Sequence, residues 1–288
     1  MPRNERILAL PPFESKTPFD PLDIKNFPGR TRAYLKIQDG CRSFCAYCIV
    51  PYARGPYRSL KPEKAINALE KFAEQGYREV VLTGIHLGKY GVDLAEQMDL
   101  ERLLKMVGKE GLPLRLRLSS LEPQELNMTI IEMAASEHWL CPHFHIPLQS
   151  GDDQTLKRMN RLYTTKEFSE KIETIHAAIP QGAIGVDIMA GFPGEDNAAH
   201  ANGVSLLRDL PISYLHVFPF SPRKGTQAWN FKDKVNIDTI KHRASELRAL
   251  GQEKRMLFYE NCLGHIFDVL VEGPYAKDGA LMTGCSMT

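Results

Sequence analysis

An α/β protein with a parallel sheet is the fold class that the sequence predicts, and two observations carry it. Short apolar runs at residues 33–37, 79–83, 114–119, 143–147, 182–189 and 214–219 have the length and composition of strands. Between them, residues 61–75, 100–110, 122–135, 164–179 and 196–210 carry apolar side chains at helical spacing. Strands joined by connections of that length pair in parallel, since a tight hairpin reaches only an antiparallel neighbour. The pattern alone does not separate an open doubly wound sheet from a barrel. No Gly-x-Gly-x-x-Gly follows the first strand, so the dinucleotide fingerprint is missing.

The elements follow in order. Residues 1–30 hold Pro11, Pro12, Pro18, Pro21 and Pro28 among many charges, which reads as a linker or extended arm rather than a core element. Pro62 and Glu63, just past the first strand region, suit a helix start. Residues 235–259 form one long charged helical pattern, expected to cap the sheet. From Gly264 onward the pattern changes, and 266–273 reads as a strand and turn.

Composition narrows the class. The chain has 288 residues, ample for a sizeable core in one large domain or two smaller ones. Its net charge of +1, with Lys and Arg spread along the chain, makes no global electrostatic case for nucleic acid. No apolar run approaches the roughly 18 residues of a membrane helix. Residues 1–13 lack the apolar stretch of a secretory signal. A cytoplasmic enzyme with reduced thiols and no membrane partner is the expectation.

Cys41, Cys45 and Cys48 stand at C-x3-C-x2-C spacing. Three thiolates can hold a four-iron cluster by three corners and leave the fourth iron open to a small molecule. An electron-transfer cluster normally takes four. Structural zinc is the alternative, but its cysteines usually come as two close pairs. The remaining cysteines are Cys141, Cys262 and Cys285. Cys141 has His143 and His145 nearby, so zinc stays open. Six cysteines in 288 residues are too sparse for a disulfide framework.

The stretch Lys36-Ile37-Gln38-Asp39-Gly40-Cys41 through Cys48-Ile49-Val50-Pro51, with Tyr47 just before the last cysteine and Arg54-Gly55 beyond, resembles the cluster loop of radical S-adenosylmethionine enzymes. More narrowly it resembles the methylthiotransferases, from about residue 30 to the end of the chain. The resemblance implies a partial (β/α)6 barrel with the cluster loop after the first strand and the site at the carboxyl ends of the strands. It divides the chain into an arm (1–30), a core barrel (31–260) and the start of a small RNA-binding β domain of the TRAM type (261–288).

Residue roles come with the resemblance. Cys41, Cys45 and Cys48 are the implied ligands of a [4Fe–4S] cluster, with S-adenosyl-L-methionine on the open iron. Thr83 and Gly84 match the loop that meets the methionine amino group. Ser119 and Glu122 face the cofactor pocket, although both residue types could equally cap the next helix. Gln149 and Ser150 end the fourth strand. Arg161 is the candidate for the methionine carboxylate, because guanidinium matches a carboxylate fork. Ile188 and the backbone beside it match the adenine-contacting strand, near Gly185, Gly191 and Gly194. Phe220 would flank the adenine, and Arg223 would meet an RNA phosphate. His86 reads as a solvated loop histidine, and His143 and His145, alternating on one strand face, as core histidines.

The implied chemistry is one-electron cleavage of the sulfonium to a 5′-deoxyadenosyl radical, hydrogen abstraction and methylthiolation. The wording at Lys36–Gly40, Thr83–Gly88 and Arg117–Pro123 resembles enzymes that modify N6-threonylcarbamoyladenosine beside the tRNA anticodon. Isopentenyl-adenosine tRNA and a ribosomal-protein aspartate are the alternative substrates. A zinc-containing RNA-binding module without catalysis is the alternative of another class. Expected partners are tRNA and a low-potential electron donor such as flavodoxin or ferredoxin. The family begins with a domain holding a second, auxiliary [4Fe–4S] cluster. No cysteine precedes Cys41 here, so the chain is expected to be a fragment that cleaves the cofactor but does not methylthiolate unaided.

Overall fold

A computed structural model describes residues 19–288 apart from 22–25, 28, 96, 276 and 277. The first strand, β1 (Arg32–Asp39), leads through a loop and a short helix, α1 (Val50–Arg54), to a two-residue strand, β2 (Arg58–Ser59). There follow α2 (Pro62–Glu74), β3 (Glu79–Gly84), α3 (Leu100–Lys109), β4 (Arg115–Leu118), α4 (Met128–Ser136) and β5 (His143–Gln149). Then come α5 (Asp153–Arg158), α6 (Thr165–Ala178), β6 (Ala183–Ala190), α7 (Asn197–Asp209), β7 (Tyr214–Pro219), α8 (Ile237–Cys262), β8 (Val269–Tyr275) and β9 (Asp278–Ser286).

Helix crossovers dictate parallel pairing, and the ladders follow it. β3 pairs in parallel with β1 and β4, and β6 with β5 and β7. The strand orders are β2-β1-β3-β4 and β5-β6-β7. Between β4 and β5 the ladder shrinks to one parallel bridge, Leu116 to Leu140, closed by Leu116 N–H to Trp139 O (2.6 Å) and Cys141 N–H to Leu116 O (2.8 Å). The six parallel strands thus form a partial barrel with a thin seam, and the short antiparallel β2 edges β1.

Alternation along the strands sorts side chains into two layers. Val80, Leu82, Leu116, Leu118, Phe144, Ile146, Leu148, Ile184, Val186 and Ile188 are buried in the large apolar core that the helices cover. The opposite face is ionic. Glu79 is fully buried and accepts from Arg115 Nε (2.7 Å) and Arg117 Nε (2.8 Å). The same arginines donate to the carbonyls of Cys285 and Ser286 at 2.7 Å each, and Arg32 pairs with Glu272 at 3.1 Å. These contacts dock the β8–β9 hairpin on the amino end of the barrel. The hairpin's own side chains are mostly exposed.

Helix α8 lies along β7 and β6, beside α7, in the position of the sixth barrel helix rather than as a lid. Leu247 and Leu250 are buried there, and Lys254 Nζ donates to Leu210 O at 2.7 Å. Buried Arg243 donates to Glu195 Oε1 at 2.7 Å, while Glu195 accepts from Gly191 N–H at 3.1 Å. The Gly-rich run after β6 is therefore tied to α8.

Two expected elements are corrected, and one expectation falls mostly outside the described residues. The helix expected over 122–135 is a 3-10 turn, Pro123–Glu125, followed by α4 from Met128. Asn127 accepts from Ile130 N–H at 3.0 Å and caps a new start, the competition that Asn side chains offer a continuing helix. The last strand begins at Val269, and a second strand, Asp278–Ser286, pairs with it. The arm at 1–30 lies largely outside the described residues, but Phe27 packs its ring 5.7 Å from Tyr34, 6.0 Å from Phe72 and 6.3 Å from Tyr77.

Candidate active site

The loop that follows β1 is built around its first glycine. Gly40 sits at φ 78°, and a Cβ there would lie 1.8 Å from Pro56 O, so only glycine fits. Gln38 Nε2 donates to Asp39 O (2.8 Å) and Gly40 O (2.9 Å), and its Oε1 accepts from His86 N–H at 2.7 Å. One buried amide thus ties the entry of the cysteine loop to the end of β3. Across the loop, Ala46 N–H donates to Met159 O (2.9 Å), and Asn160 Nδ2 donates to Phe44 O (3.1 Å).

All three thiols are free and line one cavity of about 250 Å³ at the carboxyl ends of the strands. Tyr47, Glu122, Gln149 and Arg161 line it too, together with His86, Ser120 and Asp187. Cys41 Sγ lies 3.4 Å from His86 Nδ1 and accepts from Ser43 N–H at 3.4 Å. Burial pushes the Cys41 thiol up, but the hydrogen bonds from His86 and Ser43 outweigh it and hold it below the ordinary value. Burial raises the Cys45 thiol, with Arg161 Nη1 at 3.4 Å offsetting part of the rise. Cys48 is likewise raised by burial.

His86 is the residue that sequence reasoning missed. It is buried, with Nε2 2.7 Å from Glu125 Oε1 and Nδ1 against Cys41. Burial lowers its basicity, yet Cys41 and Glu125 together lift it to about 9. Nothing in the local sequence signals this contact, because it depends on a loop 45 residues away. Arg161 is held by the Glu122 carboxylate and by Tyr163 OH, which accepts from Nε at 3.1 Å. Gln149 has φ 66°, a strained conformation for a non-glycine residue, at the cavity wall.

Other expected residues stand apart from the cavity lining. Thr83 and Gly84 end β3, with Gly84 packed on Gln38. Ser119 Oγ is buried, with no hydrogen-bond partner among the described residues. The Ile188 side chain belongs to the helix-facing core, and Phe220 packs in a separate cluster with Ala46, Met159, Phe192 and Ala228. Arg223 is exposed after β7. Among the described residues, Cys141, His143 and His145 do not gather their ligand atoms within 4.8 Å, and nor do Cys41, Cys45 and Cys48. One tetrahedral zinc, about 2.3 Å from each sulfur, needs them closer. Three separated thiols with donors aimed at two of them, beside the buried Arg161 guanidinium, fit a cluster and a polar small molecule better than a single ion.

Comparison with known proteins agrees with this geometry. The chain is 35% identical over 260 residues to the threonylcarbamoyladenosine tRNA methylthiotransferase MtaB of Bacillus subtilis, covering 90% of this chain and 57% of that one. It is 37% identical over 269 residues to the tRNA-2-methylthio-N(6)-dimethylallyladenosine synthase of Geobacillus kaustophilus, covering 91% and 50%. The chain thus spans about half the length of the curated relatives it matches. Coproporphyrinogen III oxidase (HemN) of Escherichia coli shares the fold, with a TM-score of 0.56 at 13% identity over 79% of this chain and 54% of that one. The model of the Radical SAM superfamily matches residues 35–201, the span from β1 into α7 that carries the three thiols and the cavity around them, and the chain belongs to that superfamily.

Proposed function

We propose that this chain is the S-adenosylmethionine-cleaving core of a tRNA methylthiotransferase. The observation that carries the reading is the shared cavity: three free thiols, a buried cation at Arg161 and a strained Gln149 at one end of a partial barrel. When bound, the cluster and S-adenosylmethionine supply one-electron cleavage of a carbon–sulfur bond and a primary carbon radical. The chain's own residues prepare that site. Cys41, Cys45 and Cys48 hold the cluster, and His86 and Arg161 place positive charge beside two of the sulfurs. Arg161 exchanges Glu122 for the carboxylate of the methionine group, and Glu122 is then available to its ammonium. Thr83, Gly84 and Ser119 supply polar contacts at the strand ends, Ile188 the strand backbone beside the adenine, and Phe220 an apolar wall behind the loop.

The substrate proposed is adenosine carrying an N6 threonylcarbamoyl group next to the anticodon. The resemblance of the wording Thr83-Gly84-Ile85-His86-Leu87-Gly88 supports it. Arg223, exposed beyond β7, would meet RNA phosphate, and a flavodoxin or ferredoxin would deliver the electron. The test is anaerobic reconstitution with iron and sulfide, followed by iron analysis and a dithionite assay for 5′-deoxyadenosine. About four irons per chain and cofactor cleavage, both lost in Cys45→Ala, are expected. Colourless protein without iron would sink the reading.

A further inference from the structure

The ionic face of the barrel carries a second cluster of metal-ligating side chains, on β5, β6 and β7. Strand register sets Asp187 beside His216, and His145 beside Gly185 one residue pair below. His145 Nε2 lies 2.7 Å from Asp187 Oδ1, and His216 Nδ1 lies 3.5 Å from the same oxygen. The two imidazole rings are 4.8 Å apart, and one ligand atom from each of the three residues falls within 4.8 Å of the others. An ion about 2.0–2.2 Å from each nitrogen and oxygen would separate them by roughly 3 Å, which the two nitrogen–carboxylate separations of 2.7 and 3.5 Å bracket.

We propose that His145, Asp187 and His216 form a binding site for a single divalent transition-metal ion, separate from the cysteine triplet. Two imidazoles and one carboxylate on one side of an ion leave its remaining positions open. Asp187 also lines the cavity beside Gln149 and Pro147, so the site adjoins the space that the thiols share. The surroundings suit the role. Tyr214 OH lies 3.2 Å from His145 Nδ1 and 2.9 Å from His143 Nε2. With metal on Nε2, the proton of His145 resides on Nδ1 and is donated to the Tyr214 oxygen, whose own hydrogen turns to His143. That chain orients the ligand in the way outer-shell partners commonly do. The His216 side chain is 55% exposed, which gives the ion a path in. Arg117, deeper in the lumen, is held by Glu79 at 2.8 Å, away from the three ligands.

This proposal does not depend on the cofactor-cleaving function. It is tested on the full chain with Cys41→Ser, Cys45→Ser and Cys48→Ser, so that the triplet neither binds cobalt nor absorbs, titrated anaerobically with Co²⁺ and followed by optical spectroscopy. One equivalent should bind with ligand-field bands and no thiolate-to-cobalt charge transfer. Affinity should fall at least about tenfold in His216→Ala, whose ring is on the surface, and further in the isosteric Asp187→Asn. Both variants should melt with the parent when no cobalt is present. Equal affinity in all three proteins, charge-transfer bands marking thiolate ligation, or no binding at micromolar cobalt would each overturn the assignment.

Discussion

Replacing Arg161 with methionine separates what this side chain does for the fold from what it does for the cofactor. The guanidinium is 5% exposed and faces the Glu122 carboxylate, the Tyr163 ring at 4.9 Å and Cys45 Sγ at 3.4 Å. Removing one member of a buried ion pair costs about 3–5 kcal/mol, because the other is left charged and unpaired. Glu122 is 22% exposed, and burial already lifts its carboxyl above the usual range. It can therefore take a proton or water, which puts the expected loss near the lower bound, about 3 kcal/mol. The assay is urea unfolding of the cluster-free chain. Adding Glu122→Gln to Arg161→Met should restore about 1–3 kcal/mol as a coupling term. The double variant should still fail to bind S-adenosylmethionine after cluster loading, since the carboxylate's partner is gone. Losses that simply add, or a single variant costing less than about 1 kcal/mol, would refute the pairing; full cofactor affinity in the double variant would refute the binding role.

Other outcomes follow from geometry already described. Glu79→Gln should destabilise by about 3–5 kcal/mol by stranding buried arginines, read by urea unfolding. Burial raises the Glu79 carboxyl, but Arg117 and Arg115 outweigh it and hold it below the ordinary value. Its stabilisation is thus complete above the unfolded value of about 4.3 and lost as pH falls through the folded one; the variant's stability should lose that acid limb. Gly40→Ala must move the Pro56 carbonyl out of the cysteine loop, so iron retained after reconstitution should drop well below that of the parent. His86→Ala removes the partner of Cys41 and should weaken cluster retention against a chelator by about 10–100-fold, with the fold intact by circular dichroism.

Much of this was legible because the signals were local. Buried parallel strands are apolar runs, and Val80, Leu82, Ile184 and Val186 stand in them. The cysteine loop was legible because all three cysteines lie within eight residues. The break in the expected 122–135 helix was written in Asn127, a capping side chain that periodicity alone outvotes. Helix α5, Asp153–Arg158, is too short for a period to register. Strand β9 holds Gly279 and Gly284, which weaken a strand pattern. The charged lumen had a readable trace: Glu79, Arg115, Arg117 and Asp187 each interrupt an apolar strand, and a charge there is either paired or functional. Which partner each one finds depends on register between strands, which no local window contains.

The seam between β4 and β5 gives the cavity an unusual mechanical position. Cys41, Cys45, Cys48, His86 and Glu122 lie on the side of the four-stranded sheet, and Pro147, Gln149, Arg161 and Asp187 on the side of the three-stranded one. Among the described residues one ladder bridge, Leu116 to Leu140, and the bond from Leu121 N–H to His145 O are the backbone links between the two sheets at this seam, far fewer than within either sheet. Whatever fills the cavity bridges that gap like a rivet across two plates. A ligand gripped from both sides turns its binding energy directly into cohesion of the barrel, and the amides of Leu116 and Cys141, which form the bridge, become the reporters of whether the two halves are closed.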